Sequence, residues 1–278
     1  MATELPGLQV YKFGGASVKD AAAILNLCRI VRDFGPPGPL LIVVSAMGKT
    51  TNALEEIYSL AYHGQDYSAQ LAALETYHRQ ELVEVCAQLP PGPARPPGDA
   101  ETADLDAAFA NLRHELLHVS TLIPYDEGYD QVVSYGERLS SYLVSSALMR
   151  QFPSGRVQPY GARAMIKTDQ TWREAKVNWP ATEREIQHLI SGLLAGGAQI
   201  IVTEGFIGSS LKDQYRYTTL GREGSDYSAA IFAYCLRAES ATIWKDVPGL
   251  LNADPKIFSD TVRYPEISYQ ETIEMAYY

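Results

Sequence analysis

Five consecutive aliphatic residues, Leu40-Leu41-Ile42-Val43-Val44, constrain this chain more than any other stretch. Gly38-Pro39 before them and Ser45 after them leave room for a strand but not for a helix. A strand without a polar face must be covered on both sides, as in a parallel sheet held between helices. Neighbouring segments agree. Leu8 to Phe13 reads as a first strand, and Ala21 to Val31 as a helix with Ile24, Leu27, Cys28 and Val31 on one face. Gly35-Pro36-Pro37-Gly38-Pro39 closes that helix, and another begins at Ala53. Two successive strand–loop–helix units predict an α/β fold with a central, mainly parallel sheet.

Further along, Tyr67 to Leu89 and Asp104 to Val119 carry helical patterns separated by the proline-rich run Pro90 to Gly98, read as an exposed loop. Residues 60–125 thus form a helical excursion from the sheet. Within Asp130 to Arg150 the segment following Gly136 is helix-compatible, Val157 to Tyr160 suggests an edge strand, and Thr182 to Leu194 a helix stopped by Gly196-Gly197. Gln199 to Thr203 and Ala241 to Trp244 are strand candidates, with a helix at Ala229 to Leu236 between them.

A hydrophobic content of 46% in 278 residues supports a large core and excludes a disordered chain. A net charge of -10 argues against nucleic acid or an anionic membrane as partner. Cys28, Cys86 and Cys235 are far apart and odd in number, the pattern of reduced thiols. With neither a secretory leader nor a bilayer-length apolar run, a cytoplasmic location is expected.

Polar chemistry gathers where strands end. In Lys12-Phe13-Gly14-Gly15-Ala16-Ser17-Val18, backbone N–H groups, a helix dipole and the Lys12 charge can face an anion; a tight turn carrying a lysine is the plainer reading. Ser45 and Thr51 are polar ligands at the next strand end, or turn and capping residues. Gly48-Lys49-Thr50 imitates the tail of a P-loop, but Ser45, Ala46 and Met47 replace its earlier glycine spacing, so that motif is excluded. Glu137, after Gly136, suits an ammonium or simply complements a helix dipole. In Thr218 to Ser228, Arg222 suits a carboxylate or phosphate and Asp226 can orient Lys12 or a metal-bound phosphate; a surface salt bridge and a helix cap are the alternatives. The loop Lys245 to Lys256 either holds a base and ribose or is an ordinary connection. His78, His114 and His118 lack the His-Glu-x-x-His arrangement and are read as packing or solvent-facing, with no metal site expected.

Together, Lys12 to Val18, Val44 to Gly48, Gly136-Glu137, Glu204-Gly205-Phe206, Thr219 to Asp226 and Trp244 to Pro255 resemble, in order, the catalytic region of the aspartate kinases, enzymes of the amino-acid-kinase fold. The resemblance implies a three-layer α/β sandwich that transfers the γ-phosphate of ATP to the side-chain carboxylate of aspartate. The products would be aspartyl phosphate and ADP, the first step toward lysine, threonine and methionine. It implies aspartate and ATP as partners, Mg2+ carried mainly by the nucleotide, and homo-oligomers, which are common in the family. By the same resemblance Lys12 binds the phosphoryl group, Asp226 aligns Lys12 or substrate, and Gly14 and Gly15 offer N–H groups to phosphate. Arg222 then takes the substrate carboxylate and Glu137 its ammonium, while Ser45, Thr51 and Ser225 complete the pocket. Lys245, Asp246, Leu251, Asp254 and Lys256 fall on the nucleotide loop.

This chain departs from the family at Ala16 (often threonine), Glu223 (usually glycine), Lys245 (threonine or serine) and Leu251 (tyrosine). The expected organisation is one catalytic domain, 1–278, incomplete at its C-terminus and without the family's regulatory ACT domains. Kinases of glutamate, N-acetylglutamate or carbamate, and a nonenzymatic sensor with the same fold, are the competing readings.

Overall fold

In the computed structural model the aliphatic run is a strand, β2 (Leu40–Val44), with every residue buried. Residues 5–89, 99–119, 122–213, 216–247 and 249–277 are described; the proline-rich run Pro90 to Gly98 lies outside them. The chain divides into two units, Met1–Trp244 and Lys245–Tyr278.

In the first unit β2 pairs in parallel with β1 (Gln9–Phe13) and β5 (Ile200–Glu204). β3 (Val157–Pro159) and β8 (Ser240–Trp244) form the edges, giving the all-parallel order β3-β5-β2-β1-β8. Strand alternation divides the core. Leu40, Ile42 and Val44 belong to one cluster, packed with α1 (Ala21–Phe34), α2 (Thr50–Tyr62), α3 (Ser68–Gln88), α4 (Asp99–Leu117), α5 (Tyr125–Val133) and α6 (Tyr135–Gln151). Leu41 and Val43 belong to the other, packed with α7 (Ala162–Met165), α8 (Trp179–Ala195) and α9 (Gly224–Leu236). The result is a three-layer α/β sandwich. Side chains set the helix starts: Asp20 accepts the Ala23 N–H at 2.8 Å before α1, and Asn178 that of Ala181 at 3.1 Å before α8.

The helix-compatible segment after Gly136 lies in α6, and a separate helix, α5, precedes it and meets it at Ser134. Two features differ from the sequence reading. The helix expected from Ala229 begins at Gly224, so Ser225 and Asp226 lie in its first turn. A second sheet, β4 (Lys167–Thr168), β6 (Ile207–Ser210) and β7 (Tyr217–Thr219), was not foreseen. Among the described residues no helix is long and apolar enough to cross a membrane.

The second unit holds α10 (Tyr269–Tyr277) and an antiparallel bridge between Leu251 and Arg263. Its loop is turned by side chains: Asp254 accepts the Lys256 N–H and Asn252 the Val262 N–H, each at 2.8 Å.

Candidate active site

Parallel strands deliver their C-terminal ends to one side of the sheet, and α9 starts there. Lys12 shares the β1 face of Leu8 and Val10 and is only 5% exposed. An ammonium so placed needs a partner; its Nζ lies 2.5 Å from Oδ1 of Asp226. The Ser225 hydroxyl is 3.0 Å from that of Ser45 at the end of β2. Gly205, just beyond β5, allows this approach, since a Cβ there would lie 2.7 Å from that of Ser225. Three strand ends thus converge on the positive end of a 13-residue helix, with one buried cation among them.

The acidic member comes from the other layer. Gly136 lets α6 approach the loop after β2, where a Cβ would stand 3.0 Å from Ala46 Cβ. Oε1 of Glu137 then accepts the Ala46 N–H at 3.2 Å, and the Ser140 hydroxyl donates to Ser45 O at 2.6 Å. Oε2 of Glu137 is buried with no hydrogen-bond partner. Burial pushes this carboxyl up to about 8, against the smaller opposing effects of its backbone hydrogen bonds and Lys12. A carboxyl so placed favours its protonated form at neutral pH.

Lys12, Ser45, Thr51, Glu137, Arg222, Ser225 and Asp226 all line one cavity of about 690 Å³. Arg222 makes no ion pair or hydrogen bond among the described residues, leaving its guanidinium available to a ligand. Glu223 precedes α9 with a left-handed backbone (φ 55°) and no capping bond, so Asp226 is not the helix cap. Gly14 and Gly15 are not part of the lining. The Gly14 N–H is engaged by Trp244 O at 3.4 Å, and Gly15 packs against Ala46 O, which a Cβ would approach to 2.8 Å. Lys245, Asp246, Leu251, Asp254 and Lys256 belong to the second unit.

Sequence reasoning missed much of the wall: Glu55, Asp126, Tyr129, Trp172, Arg173 and Glu174. Only the helical spacing of Asp126 and Tyr129 carried a signal, and that spacing is common to any helix face. The histidines stay outside the site. His78 is buried with Nδ1 on Leu74 O at 2.8 Å, and the His114 and His118 rings lie 4.2 Å apart. Among the described residues no three His, Cys, Asp or Glu side chains are grouped to hold a metal ion.

The sequence pattern of the amino acid kinase family matches residues 7–278. Lysine-sensitive aspartokinase 3 of Escherichia coli is 30% identical over 275 residues, which cover 96% of this chain and 55% of that protein. A chloroplastic bifunctional aspartokinase/homoserine dehydrogenase of Daucus carota is 29% identical over 279 residues, 97% of this chain and 28% of the relative. The crystal structure of E. coli aspartokinase III in complex with aspartate and ADP superposes with a TM-score of 0.81 at 28% identity, covering 98% of this chain and 56% of that one. This chain therefore spans about a quarter to a half of the length of these relatives.

Proposed function

The chain belongs to the amino acid kinase family, and from that premise we propose that it phosphorylates the side-chain carboxylate of aspartate with Mg-ATP. The observation that carries the reading is the meeting of the Lys12–Asp226 ion pair with Arg222 and Glu137 in one cavity. Each group suits one part of the reactants. Arg222 can grip the α-carboxylate through two parallel hydrogen bonds. Glu137 can receive the α-ammonium, whose charge favours the ionised carboxylate and displaces its proton. The acceptor carboxylate is already ionised near neutral pH, so no general base is required.

One acceptor oxygen attacks the γ-phosphorus as the bond to the β,γ-bridging oxygen breaks, giving an acyl phosphate and ADP. Lys12 and the first turn of α9 offset the charge on the moving phosphoryl group, while Ser45, Thr51 and Ser225 complete a polar wall. Asp226, beside Lys12, is the carboxylate that would face a Mg2+ ion carried by the nucleotide, which would neutralise phosphate charge there.

The proposal extends to the first step of lysine, threonine and methionine synthesis, a cytoplasmic setting and homo-oligomers. Its test is aspartate-dependent ADP release by the full-length protein together with a hydroxylamine-trappable product. Turnover of glutamate, N-acetylglutamate or carbamate in place of aspartate would overturn the substrate assignment, and tight binding without turnover would overturn the enzymatic one.

A further inference from the structure

Asp130 on α5 is fully buried and is not itself part of the cavity lining. Its carboxylate nonetheless joins two stretches that are. Thr219 donates its N–H to Oδ2 at 2.9 Å and its hydroxyl to Oδ1 at 2.7 Å. The Arg173 N–H is shared between the two oxygens, at 3.1 and 3.2 Å. Thr219 ends β7 and leads through Leu220-Gly221 to Arg222. Arg173 has a left-handed backbone, φ 68°, and its guanidinium lies 4.2 Å over the Tyr129 ring and 3.4 Å from Asp126. The two stretches also pair with each other, Ala175 N–H to Thr219 O at 2.9 Å and Glu174 opposite Leu220. Next to Asp130, the Gln131 side chain donates to Tyr217 O at 2.8 Å and accepts the Tyr217 N–H at 3.0 Å. Helix α5 thus holds β7 through consecutive residues.

A carboxylate withdrawn from water is costly unless donors surround it. Burial raises the Asp130 carboxyl to about 6, against these same donors. We propose that Asp130 is a positioning residue for the acceptor substrate: by gathering Thr219 and Arg173 it fixes where Arg222 and the Trp172–Glu174 wall stand. This rests on the reading that Arg222 binds the acceptor's carboxylate.

The experiment compares wild-type, Asp130→Asn and Thr219→Val proteins at full length. Asparagine sets an NH2 group against one of the incoming N–H donors; valine removes only the hydroxyl. Asp130→Asn should raise the KM for the acceptor about tenfold, the scale of one hydrogen bond to a charged group, and leave the KM for ATP within about twofold. Thr219→Val should shift the acceptor KM in the same direction by less. Amide exchange at Thr219 to Arg222 should accelerate in Asp130→Asn. Equal rises in both KM values, a fall in kcat alone, or a lower Tm with an unchanged acceptor KM would overturn the proposal. If the wild-type protein phosphorylates no amino-acid carboxylate, the functional reading falls on its own. Hydrogen exchange then decides the positioning role, and rates equal to wild type at Thr219 to Arg222 would refute it.

Discussion

Lys12 is a charge held in the middle of a sheet, and its role turns on what surrounds it. Its only ion-pair partner among the described residues, Asp226, keeps a 27% exposed side chain. Lys12→Met should therefore fold but lose about 10²–10³-fold in kcat, the usual effect of removing a group that stabilises transition-state charge; ADP release alongside a thermal melt checks both halves. Glu137 carries the sharper pH signature. Its folded value, about 8, lies above the ordinary 4.5, so the folded chain keeps a proton that the unfolded chain has released. The resulting stability is complete below the ordinary value and is lost as pH rises through about 8. Aspartate binding at pH 7 should release a proton, seen as a dependence of calorimetric heat on buffer ionisation enthalpy. Glu137→Gln should abolish that dependence and flatten Tm between pH 6 and 9. Glu223 pays for its left-handed backbone, which costs a side-chain-bearing residue about 1 kcal/mol. Glu223→Gly should raise the urea midpoint, and both it and Glu223→Gln should lower the KM for an anionic acceptor by removing a charge from the cavity wall. A shift with glycine but not glutamine would assign the kinetic effect to the backbone.

At the scale of elements, α3 and α4 meet around a buried histidine. His78 packs beside Phe109 at 5.8 Å, and its Nε2 has no partner. Burial lowers its value from 6.5 to about 4, so it stays neutral in the fold while the unfolded chain takes up a proton below 6.5. Stability from His78 is full above 6.5 and is lost as pH falls toward 4, about 2 kcal/mol of it by pH 5. Denaturant melts at pH 7.5 and 5 should show this loss in wild type and a smaller one in His78→Leu. The elements also show what a sequence can disclose. Leu40–Val44 admits one interpretation because five aliphatic side chains need cover on two faces. The second sheet gave no such signal. Its buried residues include Ser209, Ser210, Thr218 and Thr219, which read as loop until Thr168 meets Thr218 at 2.8 Å and Lys167 meets Ser209 at 3.1 Å. The start of α9 was hidden for a similar reason, because Gly224-Ser225-Asp226 has poor helix propensity and is held by tertiary contacts. Lys12, Glu137, Arg222 and Asp226 stood out as charges beside glycines at strand or helix ends. Trp172, Arg173 and Glu174 reach the same cavity through packing that no local pattern encodes.

Across the first unit, the order β3-β5-β2-β1-β8 places the last strand beside the first. Gln9 to Phe13 pair in register with Ser240 to Trp244, and the Trp244 ring stacks on Phe13 at 6.0 Å. A chain cut after Arg237 should lose its cooperative melt, because β1 would become a bare edge in a sheet with no polar strand to shield it. A chain cut after Trp244 should keep it; indistinguishable melts would show that β8 is dispensable. The same closure has a consequence for biosynthesis. Lys12 leaves the ribosome long before Asp226, its counter-ion, and before the strand that flanks β1. At about 5–20 residues per second, on the order of 10–40 s separate the two residues. Throughout that interval the nascent chain carries a lysine destined for burial and no carboxylate to receive it, so the site is among the last parts of the unit to exist.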